Sequence, residues 1–246
     1  MKALVTLTRV EASMLLREPA AILFTLGLPL ILLALNGAQG NEPQPELGGS
    51  GLVDVMVPGL LVYVVATLAV MTLPETLADY RDRGILRRYR VTPLRSWQVV
   101  GSHACTHVAL GTACAVLVLS VATVAFDLSA PASWPAVAVA FAASAACLLA
   151  LGFLLGSVLP TVRTTQAVAA GLYFPAIFLS GAVWPTEALP PLAQDLGRFL
   201  PITYAVEALR AAFSRGEVDS VAMVVLLGTT VTATALALRL FRWEPR

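Results

Sequence analysis

The chain has 246 residues, of which 58% are hydrophobic and only 13% are charged, and its mean hydropathy is +0.80. This composition provides too little polar surface to cover a soluble globule of that length, so it indicates a polytopic membrane protein. The formal net charge of +1 gives no sign of a nucleic acid or another strongly charged partner.

Six apolar stretches approach the length of about twenty residues that a helix needs to cross a bilayer. They predict membrane-spanning helices at Ala20 to Leu35, Val53 to Leu73, Val99 to Phe126, Ala136 to Val158, Ala167 to Val183 and Val221 to Leu238. The period-two alternation of a membrane barrel is absent, and only helices otherwise satisfy the backbone polar groups in lipid. The sequence therefore predicts an all-α membrane protein with six transmembrane helices in a single domain, residues 1–246.

Residues 1–18 precede the first predicted span and place apolar side chains on one side, with Arg9 and Arg17 elsewhere. This pattern predicts an amphipathic helix on the inner membrane surface, although a simple extension of the first span fits nearly as well. A cleaved signal peptide is disfavoured because its leading region would carry Glu11 and Glu18, and no small-x-small cleavage site follows.

Lysine and arginine are distributed unevenly between the two predicted sides. With the N-terminus inside, thirteen of the sixteen lie in inner segments, and only Arg198, Arg210 and Arg215 lie outside. The positive-inside rule then predicts that both termini lie in the cytoplasm. We expect a multi-pass protein of the cell (plasma) membrane.

The segment between the second and third spans contains RDRGILRRYRVTPLRSW, residues 81–97, with six arginines. The pattern predicts a cytoplasmic helix over residues 75–90 that begins after Pro74 and is stopped by Pro93. Its acidic residues come early and its arginines late, as the helix dipole favours.

This predicted helix has more than the cations that a membrane anchor requires. Asp79 and Arg83 are spaced for an ion pair, and an apolar side is formed by Ile85, Leu86 and Tyr89. A mixture of acidic, basic and apolar groups suits a protein partner, so the segment predicts a docking surface.

The segment between the fifth and sixth spans, residues 184–219, has apolar residues at helical spacing between prolines. It predicts short, half-buried helices that dip into the outer leaflet. In contrast, residues 37–52 are rich in Gly, Pro and Gln and predict a flexible outer linker.

Few titratable groups lie at predicted membrane depth. His103 and His107 are spaced i,i+4, by which two imidazoles can share a metal or relay protons, but polar residues facing the bundle explain them more simply. Cys105, Cys114 and Cys147 are odd in number and are predicted to be small buried residues.

Two long runs of sequence contain recognisable motifs. LPETLADYRDRGILRRYRVTPLRSWQVVGSH has an acidic start, Arg-x-x-Gly-x-Leu and a closing Thr-Pro, and in these features it resembles the loop between the second and third membrane helices of the ABC type-2 permease family. FPAIFLSGAVWPTEALPPLAQDLGRFLPITYAVEALRAAF is similar to its fifth helix and outer re-entrant region. Together the runs cover about seventy residues in the family order.

The resemblance implies the membrane subunit of an exporter rather than an enzyme. Two six-span subunits, as a homodimer or heterodimer in contact with membrane lipids, would form the channel, and two copies of a separate ATP-binding cassette ATPase would drive it. ATP and Mg would be bound by that ATPase, with no cofactor on this chain and no nucleic acid partner. The residues agree, because a Walker loop needs a lysine after its glycines and the one lysine here is Lys2.

The resemblance makes the 74–97 segment a coupling helix that docks on the ATPase. The docking residues are predicted to be Glu75, Asp79, Arg81, Arg83, Gly84, Ile85, Leu86, Arg87, Arg88, Tyr89, Thr92 and Pro93. Among them, Arg83, Arg87 and Arg88 are expected to form charge pairs with the ATPase, and Gly84 is expected to permit a close backbone approach.

The outer segment is implied to form a re-entrant gate. Its shaping residues are predicted to be Gly181, Pro185, Pro190, Pro201, Tyr204 and Glu207. For Glu207, a gating or substrate contact and a solvated outer position remain open.

The expected activity is outward movement of a hydrophobic or amphipathic cargo, such as a drug-like molecule or lipid, by ATP-powered alternating access. Two alternatives remain open. One is a glycan or lipid-linked glycan exporter of the same family, and the other is an ATPase-independent intramembrane enzyme or carrier that uses His103 and His107.

Overall fold

A computed structural model describes residues 8, 13, 22–38, 40–47, 49–84, 96–186 and 189–240, with only the backbone described at 96–100. Helices dominate these ranges, and the β-structure found within them is one isolated bridge between Gln44 and Ser50. We number the α-helices in chain order as α1 Leu23–Gly37, α2 Leu52–Asp82, α3 Ser96–Phe126, α4 Trp134–Val158, α5 Val162–Leu179, α6 Pro191–Gly197, α7 Pro201–Ser214 and α8 Ser220–Leu240.

Four helices of the described ranges are long and apolar enough to cross a membrane. They are α2, the Gly101–Phe126 part of α3, α4 and α8. The first and fifth predicted spans correspond to α1, a shorter apolar helix, and α5, whose first turn is polar because of Arg163 and Thr164. All-helical architecture is therefore confirmed, and membrane crossing by α1 and α5 stays a prediction.

Helix α2 occupies the centre of the bundle, and 83% of its most apolar 18-residue stretch is buried. It packs against α1, α3, α4, α5 and α7, and it contributes more buried side chains to the hydrophobic core than any other helix. Helix α8 packs mainly on α4, and only 22% of its most apolar 18-residue stretch is buried. The apolar face that points away from α4 is therefore available to lipid or another subunit.

Helices α1 and α2 each contain a π-helical segment just before a proline. These segments are Leu23–Gly27 before Pro29 and Thr67–Thr72 before Pro74. A proline has no N–H for the carbonyl four residues earlier, and in both helices that carbonyl lies in the π segment, where the regular bonding pattern is already changed. The prediction of a helix starting after Pro74 is wrong, because α2 continues through this proline.

The predicted helix over residues 75–90 is also interrupted. Helix α2 ends at Asp82, and Gly84 adopts a φ of +67° that terminates it. The N–H of Gly84 donates to the carbonyl of Arg81 at 3.0 Å, a contact that caps the last turn.

Helices α2 and α4 approach so closely that a side chain does not fit between them. A Cβ placed on Gly152 would lie 1.8 Å from the carbonyl oxygen of Ala69, and one on Gly156 would lie 2.8 Å from Leu77 Cδ1. Small residues permit such contacts in membrane bundles, where packing takes the place of the hydrophobic effect.

The short helices predicted for the outer segment are present as α6 and α7. One face of α7 is buried against α2 and α4, and Ala132 N–H donates to the carbonyl of Phe213 at 2.9 Å. Their entry into the membrane stays a prediction. The amphipathic helix proposed for residues 1–18 lies almost wholly outside the described residues.

Candidate functional site at the inner end of α2

The last two turns of α2 present both charge signs to the predicted cytoplasmic side. Arg83 Nε donates to Asp79 Oδ1 at 2.8 Å, and the Arg83 side chain is 70% exposed. The predicted ion pair is therefore present. Since exposed ion pairs are weak in water, both groups are available to a partner.

Arg81 points the opposite way. It is 4% exposed, and its Nη1 donates to the carbonyl of Leu159 at 2.8 Å while Nη2 donates to the carbonyl of Gly156. These carbonyls lie at the C-terminal end of α4, where a cation is favoured by the helix dipole and unsatisfied carbonyls. The expectation that Arg81 docks on a partner is not supported, because its guanidinium is buried inside the chain.

Two further contacts connect this end of α2 to the start of α5. Gln166 Nε2 donates to Glu75 Oε1, and the backbone N–H of Val162 donates to Asp82 Oδ2 at 3.3 Å. A carboxylate at a helix N-terminus satisfies an otherwise unpaired N–H and interacts favourably with the dipole. The inner end of α2 is thus bound to both helices that flank the 159–161 turn.

No atom of the described residues lies within 4 Å of a Cβ built on Gly84, so the expected close approach to a partner backbone stays a prediction. The positive φ of Gly84 is a separate reason for a glycine, since L side chains rarely adopt this conformation. The remaining docking predictions lie outside the described residues, namely Ile85, Leu86, Arg87, Arg88, Tyr89, Thr92 and Pro93.

The predicted gate residues lie along the outer segment but serve several local purposes. Gly181 has a φ of +80°, and its carbonyl accepts from Arg210 Nη2 at 2.9 Å. Pro185 is buried, Pro190 precedes α6 and Pro201 is the first residue of α7.

Tyr204 and Glu207 lie on α7. The Tyr204 hydroxyl donates to the carbonyl of Arg198 at 3.0 Å, which holds the α6–α7 connection. Glu207 is exposed, yet loss of part of its hydration raises its pKa, as does Asp219, while Arg210 and Arg198 act in the opposite direction.

The two histidines of α3 are buried, with ring centroids 6.5 Å apart. His107 Nδ1 lies 2.8 Å from the carbonyl of His103, and the Tyr80 ring meets His103 edge-on at 5.3 Å. Within the described ranges no third His, Cys, Asp or Glu joins the pair to form a metal-ligand cluster. The geometry is that of polar side chains packed inside a bundle.

A polar network at the outer end of α2 was not predicted from sequence. Asp54 accepts from Asn41 Nδ2 at 3.0 Å, from the Ser129 N–H at 2.9 Å and from Ser129 Oγ at 3.0 Å. Asn41 Oδ1 in turn accepts from the N–H of Val53, so part of the linker expected to be flexible is fixed to α2. The network borders a cavity of about 490 Å³.

Comparison with known protein families finds a match over most of the chain. The profile of the family described as ABC-2 type transporter matches residues 2–214. The chain belongs to the ABC-2 type transporter family. This confirms the resemblance carried by the inner and outer runs of sequence.

The chain is similar to two curated members of ABC transporter families. It is 26% identical over 191 residues to a probable multidrug ABC transporter permease, YbhR, of Escherichia coli K12, a match covering 76% of this chain and 52% of that protein. It is 23% identical over 167 residues to ABC transporter G family member 20 of Dictyostelium discoideum, covering 68% of this chain and 23% of that protein. The chain thus matches about half of YbhR and a smaller part of the second relative.

Proposed function

We propose that this ABC-2 type permease is the membrane subunit of an ATP-driven exporter. Two permease subunits, identical or different, form the pathway, and two copies of a separate ATP-binding cassette ATPase supply the work. The observation that carries the proposal is the family match over residues 2–214, together with a charged inner end of α2 that holds Arg83 exposed beside Asp79.

The energy for transport comes from contact with the ATPase. A Walker loop uses its lysine to reach the β and γ phosphates, and the 246 residues contain no Gly-x-x-x-x-Gly-Lys run. The ATPase binds ATP and Mg, and this chain supplies the surface on which nucleotide-driven movement acts.

The 74–97 segment is the proposed docking surface. Arg83, Arg87 and Arg88 provide cations for acidic groups of the ATPase, while Ile85, Leu86 and Tyr89 provide apolar contact. Such charges raise the rate of association and fix orientation, and buried apolar side chains supply most of the affinity.

The proposed cargo is hydrophobic or amphipathic and moves outward by alternating access. Apolar residues predominate in the spans, which favours a drug-like molecule or lipid over a glycan that needs many aromatic platforms. The similarity to a permease named as probable multidrug supports the same class.

The proposal is tested with the permease and its ATPase reconstituted together in proteoliposomes. Hydrolysis is measured with ethidium, a fluorescent phosphatidylethanolamine and a lipid-linked glycan. We expect stimulation by one of the first two, and the double variant Arg87→Glu plus Arg88→Glu should abolish it. The matched control is Arg163→Glu, which reverses an exposed inner arginine outside the docking segment.

Three results would count against this function. Stimulation that survives the double charge reversal would remove the docking surface, and stimulation by the glycan alone would change the cargo class. Movement of a probe without any ATPase would favour a carrier that uses His103 and His107.

A further inference from the structure

The inner end of α2 holds the turn between α4 and α5 through side chains that are distant in sequence. Arg81 binds carbonyls 75 and 78 positions later, and Asp82 accepts from an N–H 80 positions later. The last turn of α4 is therefore capped by another helix rather than by its own connection. Displacing this end of α2 moves the acceptors of α4 with it, or breaks these hydrogen bonds.

Close backbone packing makes this connection stiff. A Cβ on Gly156 would lie 2.8 Å from Leu77 Cδ1 and 3.2 Å from Pro74 Cα, so no space separates the two helices there. Packed interiors transmit displacement because they compress little. Only residues 159–161 separate α4 from α5, so both helices must respond to the same movement.

Arg81 is the residue best placed to transmit this movement. Its planar guanidinium donates to two carbonyls at once, and in a buried site such charged hydrogen bonds are stronger than neutral ones. Arg83 lies two positions later and therefore about 200° around the helix, on the face that is exposed. The same two turns thus present one arginine outward and one arginine inward.

We propose that Arg81 is a positioning residue that transmits movement of the docking segment to α4 and α5, an inference that rests on the proposed exporter function. Arg83 and the rest of the proposed docking segment receive the movement from the ATPase. Arg81 delivers it to the bundle.

The test uses the permease–ATPase complex in proteoliposomes, with Cys105, Cys114 and Cys147 replaced by alanine. A single reporter, Phe178→Cys, lies near the predicted outer end of α5 at a position that is 51% exposed. Its reaction rate with a membrane-impermeant maleimide is measured with and without ATP, beside the amount of ATPase retained and the basal hydrolysis rate. The variants are Arg81→Met, Arg81→Lys and the exposed control Arg163→Met.

We expect ATP to change the labelling rate by at least about fivefold in the parent and in Arg163→Met, a typical size for coupling between sites. Arg81→Met should retain the ATPase and basal hydrolysis but lose the ATP-dependent change. Arg81→Lys should restore part of it, since one ammonium keeps the charge without the two-pronged donor geometry. A purely structural role would lower retention and hydrolysis together with labelling.

An equal ATP response in Arg81→Met and the parent would overturn the inference while leaving the exporter function intact. A parent without any ATP response would refute the exporter function and this inference with it. If Arg81→Met does not accumulate, Arg81→Lys carries the test. Failure of both to accumulate would assign the hydrogen bonds to folding and overturn transmission.

Discussion

Replacing Gly152 by alanine should destabilise the chain, although alanine is the better helix former. The added Cβ would lie 1.8 Å from the carbonyl oxygen of Ala69, whereas real Cβ atoms essentially never approach closer than 3.0 Å. Helix α4 must therefore move by at least about 1.2 Å from the π-helical segment of α2. The obstacle is a backbone atom, so no side-chain rotation relieves the contact.

Overpacking of this kind costs about 1–3 kcal/mol, from which the helix propensity of alanine recovers up to about 1 kcal/mol. The remaining net loss is up to about 2 kcal/mol, and each kcal/mol corresponds to a decrease in Tm of about 2–4 °C in a chain of this size. Two other glycines provide internal comparisons for the effect of an added Cβ on Tm. At Gly156 the first obstacle is the flexible end of Leu77, and at Gly171 a Cβ meets nothing within 4 Å.

The measurement is thermal unfolding of the full chain in mild detergent, followed by fluorescence-detected size-exclusion chromatography. We expect Tm to fall most for Gly152→Ala, less for Gly156→Ala and not at all for Gly171→Ala. A Tm for Gly152→Ala equal to or above that of the parent would refute the close approach of α2 and α4. Equal decreases at all three positions would show that alanine acts through something other than packing.

Two further predictions concern buried and outer polar groups. Thr67→Val should lower stability by about 1–3 kcal/mol because the buried Tyr173 hydroxyl, which lies 2.7 Å from Thr67 Oγ1, loses this partner. In a double-mutant cycle, adding Tyr173→Phe should recover part of the loss. Glu207→Gln should raise Tm at neutral pH and lose this advantage as pH falls below the ordinary carboxyl pKa of 4.5. Lost hydration and Asp219 raise the pKa of Glu207 on folding, so its contribution to stability decreases as pH rises from the ordinary pKa through the raised pKa. A Tm difference between Glu207→Gln and the parent that grows on acidification would contradict this pH dependence.

Sequence patterns predicted the long helices well because their apolar runs are decided locally, by residues that must leave water together. The end of α2 was predicted less well. A proline normally interrupts a helix, so the sequence predicts a helix start at Pro74, but the π segment ahead of it accommodates the missing N–H. Nothing in the local sequence announces a π-helical segment.

The role of Arg81 depends on a helix that lies elsewhere in the chain. The docking prediction assigned Arg81 and Arg83 to one surface because both belong to the arginine-rich segment. Two positions along a helix differ by about 200°, so the two side chains point in nearly opposite directions. A usable signal was present, because Arg81 continues the spacing of four set by Leu73 and Leu77, both buried. Sequence alone could not show that the carbonyls of Gly156 and Leu159 lie within hydrogen-bonding distance of Arg81.

The outer network was missed for a similar reason. Asp54 lies near the start of the second predicted span, but its partners Asn41 and Ser129 come from two different connections. Short polar side chains in loops have many local alternatives, so their long-range pairing is decided by the packed helices and not by the loop sequence.

The continuity of α2 has a mechanical consequence. Its 31 residues form a rod about 46 Å long. If this rod tilts by about 5° about the Asp82 end, the Leu52 end moves about 4 Å sideways. Because Asp54 near that end is hydrogen-bonded to Ser129, even a tilt of a few degrees must either move the α3–α4 turn with α2 or break these hydrogen bonds.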